Sequence, residues 1–141
     1  MIGSPFLPNP RNVNDGIRLT SGTKKNMIVA NTVRENGDDG IELDEGVGKN
    51  TINDNVVKDN EEDGIDLDGT DNNTVNDNEV TGNGTDLKYD SGIELNTSDH
   101  NTIDGNTIRG NADRRVDEIE CESGTGNMGS NVTMDCMGGS D

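Results

Sequence analysis

Asp39-Gly40-Ile41-Glu42-Leu43, followed by Asn50-Thr51-Ile52-Asn53-Asp54-Asn55-Val56-Val57-Lys58-Asp59-Asn60, decides how this chain folds. The first string, Asp-Gly-Ile-x-Leu, recurs at Asp15–Leu19 and Asp63–Leu67, then as Ser91–Leu95, and in degenerate form as Asp117–Cys121. The starts of these copies lie 24, 24, 28 and 26 residues apart. The second string is Asn-x-Φ-x-x-Asn-x-Φ-x-x-Asn, with Φ aliphatic. It recurs as Asn26-Ile28-Asn31-Val33-Asn36, Asn73-Val75-Asn78-Val80-Asn83 and Asn101-Ile103-Asn106-Ile108-Asn111. An eroded copy reads Ser130-Val132-Asp135-Met137-Ser140, and Asn12 is the tail of a preceding turn.

In each Gly-Ile-x-Leu segment two aliphatics flank one polar residue, which is the period of a strand. A single such coil cannot bury its few aliphatics. Stacked coils can, because each strand pairs in parallel with its copy one turn away, at roughly 4.8 Å. The stacking predicts four inward columns. These are Ile17/Ile41/Ile65/Ile93/Ile119, Leu19/Leu43/Leu67/Leu95/Cys121, Ile28/Ile52/Val75/Ile103/Val132 and Val33/Val57/Val80/Ile108/Met137. The recurring Asn residues belong at corners, where Asn tolerates left-handed backbone and its amide can form a hydrogen-bonded ladder with its copies. No stretch shows the 3.6-residue period of a helix.

Composition alone points elsewhere. The 141 residues include only 27 Leu, Ile, Val and Phe, with one Phe, one Tyr, one His and no Trp, and the formal net charge is −18. Low hydrophobicity with high charge is the signature of disorder, and the repeat overrides it. The same charge repels nucleic-acid phosphates. No apolar run is long enough for a transmembrane helix, and the N-terminus lacks the basic start and apolar stretch of a signal peptide. Cys121 and Cys136 are too few for a disulfide framework. The acidity implies either adaptation to high salt, which screens self-repulsion, or a calcium-rich extracellular setting.

Gly-Ile-x-Leu alternating with Asn-x-Ile-x-x-Asn resembles the right-handed parallel β-helix repeat of pectate-lyase-like, NosD-type and carbohydrate-binding surface proteins. The resemblance covers about residues 12 to 140. It implies an all-β, single-stranded right-handed parallel β-helix of about five full turns of roughly 24 residues. The domain is expected over 12–141, with 1–11 as an N-terminal segment or partial cap containing Phe6 and Leu7. The resemblance also implies an extracellular or cell-surface location. It does not fix an activity, because the superfamily holds lyases, hydrolases, epimerases and non-catalytic modules.

Function is expected where the repeat is interrupted, since insertions become surface loops. Five extra residues fall within Gly84–Asp90 and three within Ala112–Val116, at the same corner of adjacent turns. They place Lys88, Tyr89, Arg114 and Arg115 together as a ligand-binding cluster, with a ring to stack on a sugar and guanidinium groups for a carboxylate. A second column, Arg18/Glu42/Asp66/Glu94/Glu120, points outward, and Asp39, Asp63, Asp44 and Asp68 flank it. Stacked carboxylates repel, and Glu42, Asp66 and Glu94 are the expected ligands if Ca²⁺ relieves them.

Two functions follow. One is a non-catalytic carbohydrate-interacting or cell-surface structural module. The other is the core of a Ca²⁺-dependent polysaccharide (uronate) lyase, in which Lys88, Tyr89 and Arg114 would supply the base and the acidic face a cation. The missing Gly-His-Gly context at His100 and the absence of an Arg-Ile-Lys element speak against a polygalacturonase-type hydrolase. Short loops and few turns favour the module. The expected partners are an acidic polysaccharide and, at the ends of the stack, further turns or a second copy of the chain.

Overall fold

The computed structural model describes residues 12–84, 90–111 and 119–131. In chain order its strands are β1 (Ile17–Leu19), β2 (Met27–Val29), β3 (Thr32–Arg34), β4 (Ile41–Leu43), β5 (Thr51–Asn53), β6 (Val56–Lys58), β7 (Ile65–Asp68), β8 (Thr74–Asn76), β9 (Glu79–Thr81), β10 (Ile93–Asn96), β11 (Thr102–Asp104), β12 (Thr107–Arg109) and β13 (Ile119–Cys121). They form three parallel sheets, β1-β4-β7-β10-β13, β2-β5-β8-β11 and β3-β6-β9-β12. The chain is therefore a β-solenoid in which each turn contributes one strand to each sheet. Four turns are complete among the described residues, against the five expected, and β13 begins another. No described helix is long and apolar enough to cross a membrane.

Register follows the repeat. Ile17, Ile41, Ile65, Ile93 and Ile119 pair in succession, as do Leu19, Leu43, Leu67, Leu95 and Cys121. Ile28, Ile52, Val75 and Ile103 form the column of the second sheet, and Val33, Val57, Val80 and Ile108 that of the third. These columns, with Val47 from a corner, are the core, and in the middle turns they are wholly buried. Cys121 is disulfide-bonded.

The second and third sheets are built from a five-residue unit, Asn-x-Φ-x followed by a left-handed residue. The left-handed positions are Lys25, Ala30 and Glu35 in the first turn, and Lys49, Asp54 and Asp59 in the second. The next two turns use Asn72, Asp77 and Gly82, then His100, Gly105 and Gly110. Each lies immediately before a ladder Asn. The left-handed backbone thus falls on the preceding residue, and the expectation that the ladder Asn itself adopts it is corrected. The sole histidine is one of these hinges, with φ of 57°.

The ladder Asn residues do the cross-linking. The ladders run Asn26–Asn50–Asn73–Asn101–Asn127, Asn31–Asn55–Asn78–Asn106–Asn131 and Asn12–Asn36–Asn60–Asn83–Asn111. Asn78 illustrates an interior rung. Its Oδ1 accepts the Asn55 backbone N–H at 2.9 Å and the Asn55 Nδ2 at 3.0 Å. Its Nδ2 donates to Asn106 Oδ1 at 2.9 Å and to the Ile52 carbonyl at 3.0 Å. Both hydrogens and the oxygen of the buried amide are used.

The glycine of Gly-Ile-x-Leu is fixed by close approach. A Cβ on Gly64 would fall 2.5 Å from the Gly92 carbonyl oxygen and 2.8 Å from Asn83 Nδ2, with Val80 Cγ1 closer still. The last turn departs from the expected register. Met128 pairs with Thr102, so Asn127 and Asn131 occupy the ladders in place of Ser130 and Asp135. These two Asn are four residues apart where other copies are five, which shifts the apparent motif. Val132 and Met137, assigned to inward columns, lie outside the described residues, as does the segment 1–11.

Removing an interior rung strands several buried groups at once, at about 1–3 kcal/mol per unmet group. Asn78→Ala is therefore expected to cost at least about 3 kcal/mol in urea unfolding, and Asn31→Ala, at the exposed first rung, about 1 kcal/mol. Equal costs at the two positions would contradict the ladder account.

Candidate functional site

The outward face of β1-β4-β7-β10-β13 carries Arg18, Glu42, Asp66, Glu94 and Glu120 in direct register. Arg18 closes the N-terminal end of this column. Its Nε and Nη2 donate to the two Asp44 oxygens at 3.0 and 2.7 Å. Its Nη1 lies 2.9 Å from Glu42 and 3.4 Å from Asp15. The paired guanidinium is held charged by the Asp44 hydrogen bonds, and the same bonds lower the Asp44 carboxyl.

Beyond Arg18, among the described residues, the column is purely acidic. Asp39, Glu42 and Asp66 each bring a carboxylate oxygen within 4.8 Å of the others, and Asp15, Asp38 and Asp39 form an adjoining set. The expected cation ligands Glu42 and Asp66 thus converge, with Asp39 as the third member. Glu94 instead hydrogen-bonds Asp63. Asp66 Oδ1 is buried and takes no hydrogen bond.

Asp39 and Asp63, read from sequence as outward flanks, are 7% exposed and serve between turns. Asp39 Oδ1 accepts the Asp63 backbone N–H at 2.8 Å. Asp63 Oδ1 in turn accepts from the Ser91 backbone N–H and from Ser91 Oγ. Together they make a short acidic counterpart of the Asn ladders.

Crowding and burial raise these carboxyls. Burial pushes Asp39 up to about 9, Glu42 to about 8, Asp66 to about 7 and Glu94 to about 9, with neighbouring carboxylates adding to each. Glu62 rises to about 7, chiefly through its hydrogen bond with Asp38. Near neutral pH several of these groups hold a proton, or something else must supply positive charge.

Lys88, Tyr89, Arg114 and Arg115 lie outside the described residues. The roots of their two insertions are described. Asn83, before the first, donates from Nδ2 to Asn111 Oδ1 at 2.9 Å, and Asn111 stands before the second. The insertions therefore spring from neighbouring rungs of one ladder, beside the corner where Asp63 and Ser91 meet. On the third sheet, Arg34, Lys58 and Arg109 pair with Glu35, Asp59 and Glu79 at 3.3, 3.8 and 3.1 Å. That basic column is occupied with ion pairs on the surface.

A protein-family model described as a right-handed beta helix region matches residues 9–108. No curated protein and no solved structure matches the chain.

The raised carboxyls give a pH dependence of defined sign. The unfolded chain loses these protons near pH 4, whereas the folded chain keeps them until about pH 7 to 9. Raising the pH across that window favours the unfolded state. With chelator at constant ionic strength, Tm is expected to fall steadily from about pH 5 to about pH 9. Added Ca²⁺ is expected to restore it at the alkaline end and to do little at the acid end, because a cation and protons compete for the same oxygens. A Tm that rises with pH in chelator would refute the assignment of buried, protonated carboxyls.

Proposed function

The chain belongs to the right-handed β-helix family, and from that premise we propose that it is a non-catalytic module of an extracellular or cell-surface protein. In this reading it engages acidic polysaccharide with the help of a divalent cation. The observation that carries the non-catalytic part is the employment of the polar groups along the acidic face in holding turns together. Asp39 and Asp63 accept backbone N–H groups one turn on, and Arg18 is held by Asp15, Glu42 and Asp44. Groups engaged in holding turns together are poor candidates for proton transfer to a substrate.

The polysaccharide part is supported by charge and position. An unassisted uronate polymer is repelled by a chain of net charge −18. A cation at Asp39, Glu42 and Asp66 removes the repulsion locally and offers coordination positions to a sugar carboxylate. Tyr89, Arg114 and Arg115 would supply stacking and a bidentate partner from the insertions rooted at Asn83 and Asn111. The disulfide at Cys121 supports an oxidising compartment.

The convergence of three carboxylates favours one second reading, the lyase core, in which the cation neutralises a uronate and Lys88, Tyr89 or Arg114 takes the neighbouring proton. One experiment separates the two. Uronate polymers are incubated with the protein, with Ca²⁺ or with chelator, and both retention and unsaturated products are measured. The module reading expects Ca²⁺-dependent retention, weakened about tenfold or more by Arg114→Ala, roughly the loss of one charge-assisted hydrogen bond, and no cleavage. Ca²⁺-dependent cleavage lost in Tyr89→Phe and Arg114→Ala establishes the lyase. Absence of retention in Ca²⁺ eliminates the polysaccharide partner.

A further inference from the structure

The first and last described turns of the solenoid are chemically complementary. The first sign is the polarity of the ladders. In the two ladders that flank the second sheet, each rung with a described turn after it donates from its backbone N–H and Nδ2 to the Oδ1 of that turn, as Asn26 does to Asn50 and Asn31 to Asn55. The Oδ1 atoms of Asn26 and Asn31 consequently accept nothing among the described residues. At the other end, Asn127 and Asn131 accept from Asn101 and Asn106 and have no described turn beyond them to donate to. One end presents acceptors and the other donors.

The second sign is an outward column of the second sheet. Its members in register are Met27, Thr51, Thr74, Thr102 and Met128. The interior copies are threonine and both terminal copies are methionine. Met27 is 74% exposed and Met128 56%, which makes them two of the few exposed large apolar side chains among the described residues. Threonine would serve as well in water, whereas a flexible apolar side chain at each terminus is suited to a contact.

The third sign is charge. Among the described residues the outward column runs from Arg18 to Glu120. Continuing the stack by one turn from Glu120 brings the next position of the column to Arg18 of another copy. Exposure at the first turn agrees with an open edge. Asn26 and Asn31 are exposed, whereas Asn50 and Asn55 one turn on are buried.

We propose that this chain stacks head to tail on further copies of itself, the turn carrying Glu120, Asn127 and Met128 of one copy resting on the first turn of the next. In this junction Met128 meets Met27, the Asn127 and Asn131 donors face the Asn26 and Asn31 acceptors, and Glu120 adjoins Arg18. The contact joins unlike surfaces and does not close on itself, so it produces a series of lengths and not a dimer. Each chain repels the next through its net charge, so molar KCl, which shortens the reach of that repulsion to about 3 Å, favours the series.

The test uses the full chain. Sedimentation velocity is followed over a concentration series in molar KCl, and a Met27→Cys chain is mixed with a Met128→Cys chain under mild oxidation. The expected result is a mass distribution that keeps lengthening with concentration. Peptide mapping is expected to find a cross-link between positions 27 and 128 in the mixture and neither like-with-like link in either chain alone. Met27→Glu is expected to return the distribution to monomer without changing the Tm of the dilute protein. A monomer at every concentration overturns the proposal, and is the outcome if residues 1–11 cover the first turn. A 27-to-27 link as abundant as the mixed one overturns it as well.

Discussion

A primary carboxamide carries one oxygen and two hydrogens, and a solenoid corner uses all three. The oxygen collects two donors from the turn before, while the hydrogens reach the amide of the turn after and a strand carbonyl of the turn before. Because β-spacing brings each residue against its own copy, one side-chain type repeated at one position satisfies every interior member of its column. The remaining features depend on that. The core can be a bundle of narrow aliphatic columns because cohesion between turns does not rest on apolar bulk alone. The left-handed residue before each Asn turns the chain so that the amide points along the stack, and the glycine of Gly-Ile-x-Leu leaves room for the neighbouring amide to pass.

The same stacking rule works against charge. Where Asn gains from meeting Asn, Glu42, Asp66 and Glu94 meet like charges across β-spacing. The molecule answers in three ways along one column. Arg18 neutralises the first position, burial and like charge raise the carboxyls of the inner members so that they hold protons more readily, and Asp39 and Asp63 turn their oxygens toward backbone N–H groups. Asp39, Glu42 and Asp66 converge where the first two devices meet, with Glu42 touching the arginine at 2.9 Å and Asp66 one strand farther from it.

Register in the first four turns is legible in the sequence. Ile41 and Ile65 pair as their spacing requires, and the ladders from Asn12 to Asn111 stand where the motif puts them. What escaped has identifiable causes. The hinge positions are held by Lys, Ala, Glu, Asp, Asn, His and Gly in different turns, so no residue type marks them, whereas the Asn beside each is constant. The last turn was misplaced because Asn127 and Asn131 enclose one residue fewer than other copies. Val47 sits at a corner whose next copy is Thr70, too mixed a column to read as core. Asp39 and Asp63 look like surface acids until the fold shows which backbone groups they cap. The residues chosen for ligand binding sit in insertions, where the repeat offers no register from which to position a side chain.

Each turn touches only the turn before it and the turn after it. The sequence is thus punctuated into similar segments, and in the core columns and Asn ladders the joint between one interior pair of turns closely resembles the next. Duplication or loss of one interior segment through unequal recombination leaves the core columns and ladders matched, provided that the break falls at equivalent positions. Molecular length in such a protein can change in whole steps during evolution while every residue keeps its role.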